Sequence, residues 1–141
     1  MIRELALKIA FAFIGKPYIW GGNDPVAGFD CSGFAVEILK SVGILPRKGD
    51  WTAQDLANKW PKIEKPTPGS LIFWDWNGDG KIDHVEIIFD INDNGNFLTI
   101  GSSDGGSKTL TEKDAILQDA YIKIRPAREG QACIVDPFIQ P

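Results

Sequence analysis

The sequence predicts an α+β fold in which N-terminal helices pack on an antiparallel β-sheet. Apolar residues recur at helical spacing in the first part of the chain, whereas short runs rich in β-branched and aromatic residues dominate after Pro66. Because helices come first and strands afterwards, a single sheet covered by helices is favoured. The 141 residues suit one domain, which we expect to span residues 1–141.

Three helices are predicted. The first spans residues 2–15 and is stopped by Gly15 and Pro17, and the second begins at or beside Cys31 and closes at Gly43. A third, short helix is predicted in the segment TAQDLANKW. The Gly- and Pro-rich segment before Cys31 should be an irregular loop. Its expected anchors are the apolar and aromatic side chains Tyr18, Ile19, Trp20 and Phe29.

Four antiparallel strands are predicted in the second part of the chain. They correspond to the segments GSLIFWDW, DHVEIIFDI, NFLTIGSS and DAYIKIRPA, which Asn, Asp and Gly residues separate. No internal repeat competes with this layout.

Composition and charge exclude several classes of protein. With 43% hydrophobic residues, 24% charged residues and a net charge of -4, the chain is typical of a globular protein, and no basic stripe indicates nucleic-acid binding. The apolar run at residues 9–14 is too short to cross a membrane, and no small-residue cleavage site follows it. We therefore expect no membrane span and no signal peptide, synthesis in the cytoplasm, and a monomer.

Cys31 is the candidate nucleophile. The N-terminus of a helix favours a thiolate, and the small residues Ser32 and Gly33 leave the sulfur and nearby backbone N–H groups accessible. The alternative is a disulfide between Cys31 and Cys133, the two cysteines of the chain. A cytoplasmic origin favours free thiols.

The segment GKPYIWGGNDPVAGFDCSGF resembles the signature of the NlpC family of cell-wall cysteine peptidases. In that family the pattern is Gly-x-Pro-Tyr-x-Trp-Gly-Gly, a short loop and then Phe-Asp-Cys-Ser-Gly-Phe. The resemblance implies a papain-like fold and cleavage of an amide in the peptidoglycan stem peptide. It also implies that Tyr18 positions substrate or stabilises the oxyanion, and that Asp30 and Ser32 form the pocket for the substrate peptide. For Asp30, a plain helix N-cap is the alternative.

His84, the one histidine of the chain, is the candidate base. The run DHVEII resembles the family motif Asp-His-Val-Gly-Ile, so the resemblance assigns His84 as the partner of Cys31. The residue that orients the histidine usually lies on the next strand, in a segment similar to Ile-His-Ala-Ser. This sequence has Gly101 there, which leaves the third member open among Ser102, Ser103, Asp104 and a backbone carbonyl.

The segment DWNGDGKIDHVE fits the calcium-loop template of an EF-hand. The predicted Ca²⁺ ligands are Asp75, Asn77, Asp79, Lys81 through its carbonyl, Asp83 and Glu86. An Asx-rich hairpin turn is the alternative, because strands rather than helices are predicted on both sides. In a strand, His84 and Glu86 point to the same face, so Glu86 has a second possible position, facing the active site.

Together these features predict a peptidoglycan hydrolase, a cysteine endopeptidase that cuts the stem peptide at the bond between D-glutamate and a diamino acid. A calcium-dependent phage lysin is the expected setting. The alternatives are an N-acetylmuramoyl-L-alanine amidase on the same fold and an inactive, calcium-binding module that binds the cell wall.

Overall fold

The structure is a computed structural model that describes residues 1–139. Its helices are α1 (Ile2–Ala12), α2 (Cys31–Ser41), α3 (Ala53–Lys59) and α4 (Glu112–Gln118). The first three match predicted helices, although α1 ends before residue 15. Helix α4 was not predicted. Its start is fixed by a capping box, in which Thr111 and Asp114 each accept a hydrogen bond from the other's backbone N–H group.

The strands form a two-stranded hairpin and a six-stranded antiparallel sheet. The hairpin contains β1 (Asn23–Asp24) and β2 (Gly28–Phe29), and the sheet contains β3 (Lys62–Ile63), β4 (Leu71–Trp74), β5 (His84–Ile91), β6 (Phe97–Ser103), β7 (Tyr121–Pro126) and β8 (Cys133–Val135). The order in the sheet is β3-β8-β4-β5-β6-β7. The α+β prediction is confirmed, and the four predicted strands are β4 to β7. The missed strands have two or three residues, too few to show an alternating pattern.

Helix α2 packs on the centre of this sheet, against β5 and β6. It buries Phe34, Ile38 and Leu39, which are each at most 1% exposed. This apolar face is the helical pattern read from the sequence. Because the burial holds α2 against β5, the N-terminus of the helix lies beside the strand that begins with His84.

The loop before α2 is anchored by two of its four predicted residues. Phe29 is fully buried and Tyr18 is 6% exposed, and their backbones form a bridge. Trp20 is 53% exposed, so its predicted anchoring role is wrong. Gly28 has a φ of 143°, a conformation that favours glycine, and a Cβ there would lie 2.5 Å from the Pro17 carbonyl oxygen.

Two further sequence predictions concern the chain as a whole. Cys31 and Cys133 are both free thiols, as expected. None of the helices within residues 1–139 has the length and apolar character required to cross a membrane.

Candidate active site

Cys31 is the first residue of α2, and local interactions fix the start of that helix. Asp30 is its N-cap and accepts a hydrogen bond from the Gly33 N–H group at 2.7 Å. Gly33 lies so close to the Gly22 carbonyl that any side chain would collide with it. The cap and this close approach hold the first turn, and with it the Cys31 thiol, against the preceding loop.

The residues assigned to substrate binding surround this thiol. Ser32 Oγ donates to Asp30 Oδ1 at 3.4 Å. Burial raises the pKa of Tyr18, and the nearby Cys31 and Asp30 raise it further. Burial also raises the pKa of Asp30, although hydrogen bonds from Gly33 and Ser32 oppose the shift. The N-cap interpretation of Asp30 therefore holds, and Asp30 still lies beside the nucleophile together with Tyr18 and Ser32.

His84 is the first residue of β5 and is 8% exposed. Burial alone would lower its pKa, but hydrogen bonds with Cys31 and Glu86 outweigh burial and raise the pKa to about 9. The imidazole also packs against two indole rings. Its centroid lies 5.6 Å from the ring centroid of Trp74 and 6.1 Å from that of Trp76. The surroundings of His84 thus favour its protonated form, which makes the imidazole a good acceptor for the proton of Cys31.

Glu86 is the polar partner that orients the imidazole. Its Oε2 lies 2.6 Å from His84 Nε2, which leaves Nδ1 as the ring nitrogen for Cys31. The carboxylate also accepts hydrogen bonds from Thr99 Oγ1 at 2.6 Å and from Ser103 Oγ at 2.9 Å, and Glu86 is 1% exposed. Burial tends to raise its pKa, but the bonds from His84 and Thr99 and the nearby Arg128 lower it overall. Glu86 is therefore held as a carboxylate.

The placement of Glu86 corrects the prediction that it ligates calcium. Strand alternation turns Glu86 to the same face as His84, the second of the two positions considered from the sequence. The candidates for the third member that the sequence offered lie elsewhere, since Ser102 donates to the Phe29 carbonyl and Asp104 pairs with Lys123. Ser103 reaches the histidine only through Glu86.

Gly101 provides the space for this arrangement. A Cβ at Gly101 would lie 2.6 Å from Glu86 Cγ. In the family motifs, glycine stands where this chain has Glu86, and histidine stands where it has Gly101. Compared with the family motifs, this chain has the orienting side chain on β5, the strand of His84, and the glycine on β6.

The predicted calcium loop connects β4 to β5, so strands flank it. Carboxylate oxygens of Asp75, Asp79 and Asp83 lie within 4.8 Å of one another. Backbone N–H groups of the loop form hydrogen bonds with these side chains. The Gly80 N–H group, for example, donates to Asp75 Oδ2 at 2.8 Å. The loop also carries Trp76, whose ring stacks on Trp74 at 5.4 Å. The loop is thus a hairpin connection, and it also brings three carboxylates close together.

Comparisons with known proteins show which family and which structures the chain is similar to. A sequence profile of the NlpC/P60 family matches residues 15–126. The bifunctional muramidase/DL-endopeptidase CwlT of Bacillus subtilis strain 168 is 39% identical over 123 residues, which cover 84% of this chain and 35% of that protein. The gamma-D-glutamyl-L-lysine dipeptidyl-peptidase of the same strain is 41% identical over 75 residues, covering 52% of this chain and 24% of that protein.

A solved structure extends the likeness to the fold. The crystal structure of the NlpC/p60 domain of the peptidoglycan hydrolase SagA matches with a TM-score of 0.70 and 25% identity, covering 95% of this chain and 97% of that domain. In contrast, the chain spans only about a third of the first sequence relative and a quarter of the second.

Proposed function

The chain belongs to the NlpC/P60 family, and from this premise we propose that it is a cysteine endopeptidase that hydrolyses an amide bond in the stem peptide of peptidoglycan. The observation that carries the proposal is the grouping of Cys31, His84 and Glu86, in which the imidazole is hydrogen-bonded to Glu86 and lies close enough to the Cys31 thiol for that thiol to raise its pKa. A nucleophile, a base and an orienting carboxylate are the groups that acyl transfer requires.

The chemistry proceeds in two steps. His84 takes the proton of Cys31, and the thiolate attacks the amide carbonyl while backbone N–H groups at the start of α2 stabilise the oxyanion. The imidazolium then protonates the leaving amine as the carbon–nitrogen bond breaks. In the second step His84 activates a water, which releases the new carboxylate and restores the thiol. Glu86 stays ionised throughout and stabilises the imidazolium.

The bond that we propose is cut joins D-glutamate to the diamino acid. Two relatives support this choice by name, one as a DL-endopeptidase and the other as a gamma-D-glutamyl-L-lysine dipeptidyl-peptidase. The amidase alternative uses the same catalytic residues on a neighbouring bond, so only the products separate the two. The inactive wall-binding alternative is disfavoured by the intact catalytic set.

Mass spectrometry of digested peptidoglycan tests the proposal. The wild type is expected to release fragments with a new N-terminus on the diamino acid, and Cys31→Ala is the inactive control. Fragments that begin with L-alanine would show an amidase instead. If the wild type and the control give the same products, the hydrolase proposal is wrong.

We also propose that the loop between β4 and β5 binds Ca²⁺ through Asp75, Asn77, Asp79, Asp83 and the Lys81 carbonyl. Three converging carboxylates repel one another unless a cation lies between them, and oxygen donors suit calcium. Bound calcium would fix the loop that carries Trp76 against His84. Glu86 has no part in the site, because its carboxylate is bonded to His84.

Calcium is expected to raise the melting temperature by roughly 2–4 °C for each kcal/mol of binding free energy. Asp79→Asn should abolish the shift, because it removes one of the three converging carboxylates. Asp93→Asn is the matched control, since Asp93 lies in the Asx-rich turn between β5 and β6. Thermal melts of the three proteins with calcium and with chelator provide the measurement. A calcium shift that persists in Asp79→Asn would place the ion elsewhere.

A further inference from the structure

A pocket of ≈ 380 Å³ that has no role in the proposed mechanism opens beside the imidazole of His84. It is lined by Trp76, His84, Asp104, Gly105, Arg125 and Arg128. Gly105 packs directly on the Tyr18 ring, where any side chain would collide. Because His84 lines the pocket, a group bound there would lie beside the imidazole.

The pocket concentrates positive charge in a chain whose net charge is -4. Asp104 is surrounded by three cations, and Lys123 is the nearest, with Nζ 2.5 Å from Oδ2. Arg125 and Arg128 make longer contacts with the same carboxylate, at 3.3 Å and 3.2 Å. These cations lower the pKa of Asp104 although its partial burial opposes the shift. Lys123, Arg125 and Arg128 face two carboxylates, those of Asp104 and Glu86, so one positive charge of this group is left unbalanced.

The two arginines differ in what else they contact. Arg128 also reaches Glu86 Oε2, at 3.4 Å, so it helps to hold the catalytic carboxylate. Arg125 makes side-chain hydrogen bonds only to Asp104 among residues 1–139, and only through Nη1. Since a guanidinium has five N–H donors, Arg125 has donors left for a ligand. Planar guanidinium groups pair best with carboxylates, which they bind through two parallel hydrogen bonds.

We propose that this pocket binds a free carboxylate of the substrate, carried by one of the two residues that the scissile amide joins, and that Arg125 is its main ligand. The inference rests on the proposed endopeptidase function. It adds that the enzyme distinguishes stem peptides with a free carboxylate from those in which the same group is amidated. A γ-linked glutamate has a free α-carboxylate, and a diamino acid at the C-terminus of the stem peptide has another, so two positions on such a substrate offer this chemistry.

Four synthetic tripeptides of the L-Ala-γ-D-Glu-L-Lys type test the proposal. They combine a free or amidated glutamate α-carboxylate with a free or amidated lysine carboxylate. The wild type should prefer the free form at one position by about 10-fold in kcat/KM, mostly through KM, because a charge-assisted pair is lost on amidation. Arg125→Gln should lose this preference, because its kcat/KM on the free-carboxylate peptide falls to about its value on the amidated peptide. Lys113→Gln, on the exposed face of α4, is the control for loss of one positive charge.

The outcomes separate this inference from the proposed function. If the wild type cleaves all four peptides equally, or if Arg125→Gln slows all four by the same factor, the carboxylate pocket is refuted while the endopeptidase stands. If the wild type cleaves none of them at the glutamyl bond, the proposed function fails and the pocket inference fails with it.

Discussion

Glu86→Gln is expected to reduce kcat/KM on stem peptides by up to about 10⁴-fold, the loss found when an orienting carboxylate is neutralised in a catalytic triad. The glutamine keeps the size of the side chain but removes the charge that stabilises the imidazolium of His84. It can also offer an N–H group to Nε2, which would place the proton of the neutral ring on Nδ1, the nitrogen that must accept from Cys31. Both effects weaken the base without removing it.

The pH profile distinguishes this positioning role from a purely structural one. The carboxylate of Glu86 raises the pKa of His84, which is about 9 in the folded protein. The imidazolium is therefore lost as the pH rises through this value. Without the charge of Glu86 the imidazolium is lost at lower pH, so the alkaline limb of the kcat/KM profile should move to lower pH. The rate of Cys31 alkylation as a function of pH reports the same change without substrate.

Controls for Glu86→Gln come from the chain itself. Glu86→Asp keeps the charge and should recover part of the activity, whereas Glu64→Gln, at an exposed position, should match the wild type. Thermal melts establish that each variant is folded. A Glu86→Gln enzyme with wild-type kcat/KM and an unchanged alkaline limb would remove Glu86 from the catalytic set.

The proposed catalytic pair could be named from the sequence because both residues lie in strong local patterns. Cys31 follows a long motif and begins a helix whose apolar face is evident in the sequence. The alternation of side chains along a strand also placed His84 and Glu86 on one face, although the sequence-based candidates for the orienting residue were Ser102, Ser103, Asp104 and a backbone carbonyl. The choice between the two positions of Glu86 required the structure, since Thr99 and Ser103, which hold its carboxylate, lie on the neighbouring strand.

The arginine pocket was not predictable in the same way. Arg125 and Arg128 follow Trp76 by about fifty residues in sequence, and no motif connects them. They meet His84 because β5, β6 and β7 are adjacent in the sheet. Helix α4 was missed for a different reason. Ile116 and Leu117 are 71% and 76% exposed, so the helix lacks the clear apolar face on which a sequence prediction relies.

Gly101→Ala is expected to reduce kcat/KM by about 10²-fold, because the new methyl group would displace the orienting carboxylate from His84. A Cβ at this position lies 2.6 Å from Glu86 Cγ, in the middle of a buried side chain. The carboxylate has little freedom to retreat, since Thr99 and Ser103 both donate to it. Overpacking of this kind also costs about 1–3 kcal/mol in the free energy of unfolding. Gly106→Ala is the matched control, because a Cβ there meets no atom within 4 Å.

The reciprocal double variant decides whether Gly101 acts through Glu86. Glu86→Gly alone should lose activity, because the imidazole then lacks its carboxylate partner. Adding Gly101→His places an imidazole on β6, where the family motif has one, in the space that the Glu86 side chain leaves. The double variant should therefore be more active than Glu86→Gly, whereas independent effects would make it less active than either single change. If activity in the double variant falls below that of Glu86→Gly, a side chain at position 101 does not replace Glu86 in orienting His84.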